Sequence, residues 1–151
     1  MARSVSRTRE IFSKVDDIWD LVSDLGNEGM YWSGYGDVKV VSRQERVIEL
    51  EVSFAGLDNA KGREIHMLDP KRSIATKLTR GYIVGERSLV LVPMGRNSTR
   101  VDVRWRFEPR GSPKFASDLV GEEIAKQTEE ALNRIEESAG RAAPLARWRP
   151  S

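Results

Sequence analysis

From Asp37 to Phe107 the chain alternates apolar and polar residues for about seventy positions, and this constrains the fold more than any other feature. Val38, Val40 and Val41 open the run, and Gln44-Glu45 marks a turn. Ile48, Leu50, Val52 and Phe54 then alternate with Val47, Glu49, Glu51 and Ser53, a half-buried strand with a charged outer face. A strand over Gly62 to Leu68 ends at Asp69-Pro70, where proline presets the turn dihedral. Ile74, Thr76 and Leu78 share a face of the next strand. Gly81 and Gly85 flank Tyr82 to Val84, and Ser88 to Val92 is again strand. The last strand is the clearest: Val101, Val103, Trp105 and Phe107 on one face, Arg100, Asp102, Arg104 and Arg106 on the other.

What flanks the alternation completes the expected fold. Ser4 to Phe12 reads as a short strand around Val5 and Ile11. A helix follows with Ser13 as its expected N-cap and Val15, Ile18, Trp19 and Val22 as its apolar stripe, broken at Gly26-Asn27. Glu28 to Gly36, rich in glycine and aromatics, reads as a second short helix or turn. After Pro109 to Pro113 a long helix is expected from Lys114 to Ser138. Its stripe is Ala116, Val120, Ile124, Ala131 and Ile135, flanked by Phe115, Leu119 and Leu132, with Gly140 as a C-cap region. A sheet with one charged face and one of Val, Trp and Phe must cover the second face, and the long terminal helix has the stripe to do so. The expectation is one α+β domain over residues 1–138, a curved antiparallel sheet of about seven strands around a C-terminal helix, with a flexible basic tail over 139–151.

Composition narrows the chemistry. Cysteine is absent, which removes disulfides, thiol nucleophiles and thiolate metal sites. The single histidine, His66, excludes a multi-histidine metal centre, and no metal or cofactor is expected. The pI of about 9.0 owes much to Arg141, Arg147 and Arg149 in the tail, without which the net charge of +2 becomes −1. A nucleic-acid partner is therefore not expected. No apolar run is long enough for a bilayer, and Met1 to Glu10 lacks the apolar core of a secretory signal, so the expected location is cytoplasmic. No phosphate-cradling glycine motif occurs.

The element order is similar to the helix-grip fold of the START-like, polyketide cyclase or SRPBCC superfamily. The resemblance covers Val5 to about Ser138. Its carriers are the stretch Glu10 to Leu25, with its Val-x-x-hydrophobic-Trp helix ending in Ser23-Asp24, and Trp32 after the second helix. Leu68-Asp69-Pro70 resembles the mid-sheet turn, and Asn97 to Val101 the last hairpin. These motifs are structural, and the superfamily does many things on one scaffold. The resemblance implies a cavity between sheet and helix, of roughly 300 to 1,000 Å³, used for lipids, sterols, quinones or polyketides. Left empty, such a space would cost several kcal/mol at roughly 24 cal/mol per Å³, so a ligand or large side chains must fill it.

The expected function is binding of a small hydrophobic ligand in that cavity, as a carrier or sequestering protein. Ile11, Trp32, Leu50, Val52, Phe54, Met67, Trp105, Phe107, Val120 and Ile124 are the lining candidates; for Leu50, Val52, Phe54, Trp105 and Phe107 the alternative is simple packing under the helix. A cyclase or dehydratase-type enzyme is the second reading, with His66, Arg80 or Tyr82 as polar groups; a protein-interaction module with a filled cavity is the third. Enzymatic use requires at least two polar groups converging inside. His66 shares parity with Glu64, and Ile65 with Met67; if Ile65 and Met67 face inward, His66 faces solvent. Arg7 and Arg9 share parity with Val5 and Ile11, so their heads either hold an anionic headgroup or reach water at the strand end. Gly29 to Gly36 and Gly81 to Gly85 are either gates or anchored turns. The paired acids Glu122-Glu123 and Glu129-Glu130 of the long helix read as solubility features, since adjacent residues diverge by about 100°.

Overall fold

The computed structural model of the chain describes residues 3–54, 60–80, 83–109 and 114–147, with side chains described except at 109, 114–118 and 141–147. Seven strands form one antiparallel sheet: β1 (Arg3–Ile11), β2 (Tyr35–Gln44), β3 (Val47–Phe54), β4 (Lys61–Asp69), β5 (Ser73–Arg80), β6 (Ile83–Gly95) and β7 (Ser98–Pro109). Helix α1 (Val15–Val22) and a 3-10 segment (Leu25–Met30) lie between β1 and β2, and helix α2 (Lys114–Arg147) ends the fold. The spatial order β1-β7-β6-β5-β4-β3-β2 is a meander with β1 added beside β7. This is the helix-grip fold.

Turn chemistry explains the tightest connections. Glu45 and Lys71 take positive φ values of 52° and 64° in the β2–β3 and β4–β5 turns. Gly85 sits in β6 at φ 153°, where a Cβ would lie 2.1 Å from the carbonyl oxygen of Arg106 on β7. Only glycine permits that approach of the two backbones.

Register decides which face each strand buries. Ile48, Leu50 and Val52 on β3 point into the core and stand opposite His66, Glu64 and Gly62 on β4. His66 and Glu64 in turn face Thr76 and Leu78 on β5. Residues directly paired across strands share a face, so the apolar parity of β3 and β5 carries Glu64 and His66 inside. Along β6, Arg87, Leu89 and Leu91 are buried opposite Trp105, Val103 and Val101 of β7. Helix α2 closes this face with Ile124, Thr128, Ala131, Leu132, Ile135 and Ala139, recurring at helical spacing.

Several expectations need correction. Met67 is 41% exposed on the outer face, the reverse of the inward orientation expected for it, because β4 follows its neighbours' register rather than its own hydrophobicity. Leu119, expected beside the apolar stripe, is exposed, while Val120 packs partly against the core. Lys14, not Ser13, occupies the N-cap position of α1, and no side chain caps it; the Ser13 carbonyl instead accepts from Thr99 Oγ1 at 2.8 Å. Helix α2 runs past Gly140 to Arg147, so Gly140 does not end it and the stretch 139–147 is helical backbone.

Candidate functional site

Among the described residues, five titratable side chains and the Thr76 hydroxyl meet inside the apolar core, between the sheet and the 3-10 segment. The 3-10 turn buries Glu28, β2 brings Tyr35, β4 brings Glu64 and His66 two residues apart on one face, and β6 brings Arg87. His66 and Glu64 are essentially inaccessible, at 0% and 1% exposure. The His66 Nε2–H donates to Glu64 Oε1 at 2.9 Å, and Thr76 Oγ1 meets Nδ1 at 2.8 Å. Tyr35 Oη donates to Glu64 Oε2 and receives a bond from Arg87 Nη1 at 3.0 Å. Arg87 Nη2 donates to Glu28 Oε1. The second oxygen of that carboxyl, Oε2, is buried without a hydrogen-bond partner and lies 3.6 Å from His66 Nε2.

Two tryptophans hold the cation. The guanidinium carbon of Arg87 lies 4.3 Å from the centroid of Trp32 and 5.0 Å from that of Trp105, and the two indoles meet edge-to-face at 5.6 Å. Rings supply favourable electrostatics where water is excluded. Trp105 Nε1 donates to Thr128 Oγ1 of α2 at 3.0 Å, and that hydroxyl donates to the Ile124 carbonyl at 2.7 Å.

Environment drives the two carboxyls apart. Burial, then the charge of Glu64, pushes Glu28 up to about 7 against the opposing pull of Arg87 and His66. Burial would also raise Glu64, yet the hydrogen bond from His66, the charge of Arg87 and the Tyr35 hydroxyl lower it to about 2. Burial pushes the Tyr35 phenol well above its ordinary range, partly opposed by Arg87. For Arg87 burial works against the charge, but Tyr35, Glu28 and Glu64 outweigh it and hold the guanidinium protonated. Divergent values on neighbouring acids are the pattern of a site that can separate donor from acceptor.

Among the described residues, the spaces bordering the cluster are smaller than the cavity that the resemblance implies. Two voids of about 20 Å³ each lie between sheet and helices, each large enough for about one water. The first is walled by Glu28, Trp32, His66, Thr76 and Arg87 with apolar neighbours, the second by Trp32, Tyr35, Phe54, Leu78, Trp105 and Ile124. A groove of about 420 Å³ lies instead on the outer sheet face, lined in part by Ser6, Met67, Lys77 and Arg104.

Of the proposed lining residues, Ile11, Trp32, Leu50, Val52, Phe54, Trp105, Phe107 and Ile124 are buried in the core, and Trp32, Phe54, Trp105 and Ile124 border the voids. Among the polar candidates His66 points inward, Arg80 is exposed at the end of β5, and Tyr82 lies outside the described residues. Glu28 and Arg87 escaped the sequence reading. Arg87 shares parity with Leu89 and Leu91, a signal that places an arginine on an inward face; Glu28 sits in a turn with no periodicity to orient it. Arg7 and Arg9 reach α2, Arg7 to Glu129 at 3.3 Å, Arg9 to Glu129, Asn133 and Glu136 at 2.9, 2.7 and 3.1 Å. Glu129, one of the paired acids, and Glu136 are thus ion-paired to β1 while remaining 44% and 43% exposed. Within the stretch Gly29 to Gly36, Tyr31 and Trp32 are buried and Met30 is exposed.

Comparison with known proteins agrees with this architecture. The Zhui aromatase/cyclase from Streptomyces superposes with a TM-score of 0.86 at 14% identity, covering 95% of this chain and 96% of that one. A Thermus thermophilus protein matches with a TM-score of 0.79 at 20% identity, covering 93% and 99%. A START superfamily protein from Mycobacterium smegmatis gives 0.75 at 20% identity, covering 92% and 98%. No curated protein sequence matches significantly. At these identities the likeness shows the fold alone. Residues 2–140 match the family described as polyketide cyclase / dehydrase and lipid transport, and the chain belongs to that family, within the START-like SRPBCC superfamily.

Proposed function

We propose that the chain binds a small, largely apolar molecule between the sheet and α2, with the molecule's polar group set against Arg87 and Tyr35. The observation that carries this is the ionic cluster in the middle of the core. Burying each ion costs several kcal/mol even after relaxation, and an apolar core would achieve the packing without that cost. A guanidinium stacked on Trp32 and Trp105 offers a carbonyl or hydroxyl a charged donor within an aromatic wall. Membership of a cyclase and lipid transport family supports a hydrophobic ligand. The voids are water-sized, so a ligand enters only as the aromatic side chains move apart.

A second reading, acid–base processing of the cyclase or dehydratase type, is favoured by one specific observation. His66 points inward and is joined to Glu64 and Thr76, which meets the requirement for converging polar groups.

Native mass spectrometry of the purified protein, with mass analysis of its organic-solvent extract, tests the binding reading. A near-stoichiometric apolar mass is expected. A second arm titrates the protein with naphthol-type aromatic ketones while following tryptophan emission. An apo mass together with unchanged emission would overturn the proposal; turnover of a bound ketone would establish the second reading.

A further inference from the structure

Glu28, Glu64 and His66 each turn one ligand atom toward a common point, with the three atoms within 4.8 Å of one another. His66 Nε2 lies 2.9 Å from Glu64 Oε1 and 3.6 Å from Glu28 Oε2. A four-coordinate zinc-like ion with bonds of about 2.0–2.1 Å separates its ligands by about 3.3 Å, between these two values. The atom of each side chain that faces away is already held: Nδ1 of His66 by Thr76, Oε2 of Glu64 by Tyr35, and Oε1 of Glu28 by Arg87. That is the outer-shell support that orients metal ligands and fixes the histidine ring. Among the described residues, Glu28 Oε2 is the one buried side-chain polar atom without a partner, and it belongs to this converging set.

We propose that Glu28, Glu64 and His66 form a binding site for one divalent first-row transition ion of the zinc type. One nitrogen and two carboxylate oxygens suit Zn²⁺ or Co²⁺. Three protein ligands and so little room do not suit Ca²⁺ or Mg²⁺, which take six or more, chiefly oxygen. The void of about 20 Å³ bordered by Glu28, His66, Thr76 and Arg87 supplies space for a water as fourth ligand. When the ion binds, the imidazole proton moves from Nε2 to Nδ1, Thr76 Oγ1 turns from donor to acceptor, and any proton on Glu28 leaves to solvent. The two carboxylates then face the ion and the Arg87 guanidinium, which stays hydrogen-bonded to Glu28, and the site carries a net charge of +1.

This site goes beyond the binding reading and is tested without any organic ligand. The full chain is stripped with chelator and titrated with Co²⁺, then back-titrated with Zn²⁺. Uptake of one equivalent is expected, with the visible absorption of a four-coordinate ion, displacement by Zn²⁺, and a rise in Tm. Glu28→Gln keeps an oxygen for Arg87 and should weaken uptake at least tenfold. His66→Gln should do the same, and circular dichroism shows whether each variant is folded. No stoichiometric uptake by the wild type, or equal uptake by the folded Glu28→Gln protein, overturns the proposal. Neither result bears on whether Arg87 and Tyr35 receive an apolar ligand, which extraction and fluorescence read separately.

Discussion

The guanidinium carbon of Arg87 lies 4.3 Å from the ring centroid of Trp32, sealed from water, while its nitrogens reach Glu28 and Tyr35. Removing this cation leaves Glu28 and Glu64 facing each other without their shared counter-charge. Arg87→Met, which keeps the apolar stem and removes the guanidinium, should lower stability by about 3–5 kcal/mol, read as a reduced urea midpoint. The double variant Arg87→Met/Glu28→Gln should recover a large part of the loss. A midpoint unchanged in the single variant would show that the cluster is not electrostatically coupled.

The raised Glu28 makes stability of the metal-free protein depend on pH in a defined direction. Its folded value of about 7 exceeds the ordinary 4.5, so the folded state binds the extra proton between them. The contribution of this group is fully present below 4.5 and is lost as pH rises through 7. Glu64, lowered to about 2, acts oppositely: its contribution is present above 4.5 and lost as pH falls toward 2. Relative to Glu28→Gln, the wild type should therefore lose stability from pH 4.5 to 7.5. Parallel profiles in urea titrations across that range would refute this.

The Trp105 indole depends on α2 for its hydrogen bond. Thr128→Val removes the acceptor and strands a buried N–H, at a cost of about 1–3 kcal/mol. Thr128→Ser keeps the oxygen and should lie closer to wild type. Thermal unfolding of the two variants compares them directly, and equal Tm values would show that the bond contributes nothing.

Gly85 should not tolerate a side chain. Its positive φ and the 2.1 Å approach of a Cβ to the Arg106 carbonyl predict a loss of at least about 2 kcal/mol in Gly85→Ala. Hydrogen exchange should localise the damage to the pairing of β6 with β7. An alanine variant with wild-type Tm would mean that the strands separate there at no cost.

The strand faces of β3 and β7 were legible because each alternates large apolar residues with charged or polar ones, and that of β5 because Ile74 and Leu78 share one parity; the sequence alone specifies which side of such a strand is buried. The stripe on α2 was legible for the same reason at a longer period. The face of β4 was not. Ile65 and Met67 are more apolar than Glu64 and His66, so local hydrophobicity points the wrong way; the ladder with Ile48, Leu50 and Thr76 overrides it.

Periodicity and turn residues, which act over a few positions, were thus enough to determine the order of elements, the antiparallel sheet and the helix that covers it. The site came from long-range register and from one aperiodic turn. Glu28 lies 59 positions before Arg87 in the chain and is joined to it only once the sheet has formed. The same packing brings Trp32, Trp105 and Arg87 together between sheet and helix, a result of three-dimensional fit that no run of residues encodes locally. Whether a polar side chain is buried depends on what its neighbours across the sheet bury, and that is settled in tertiary structure.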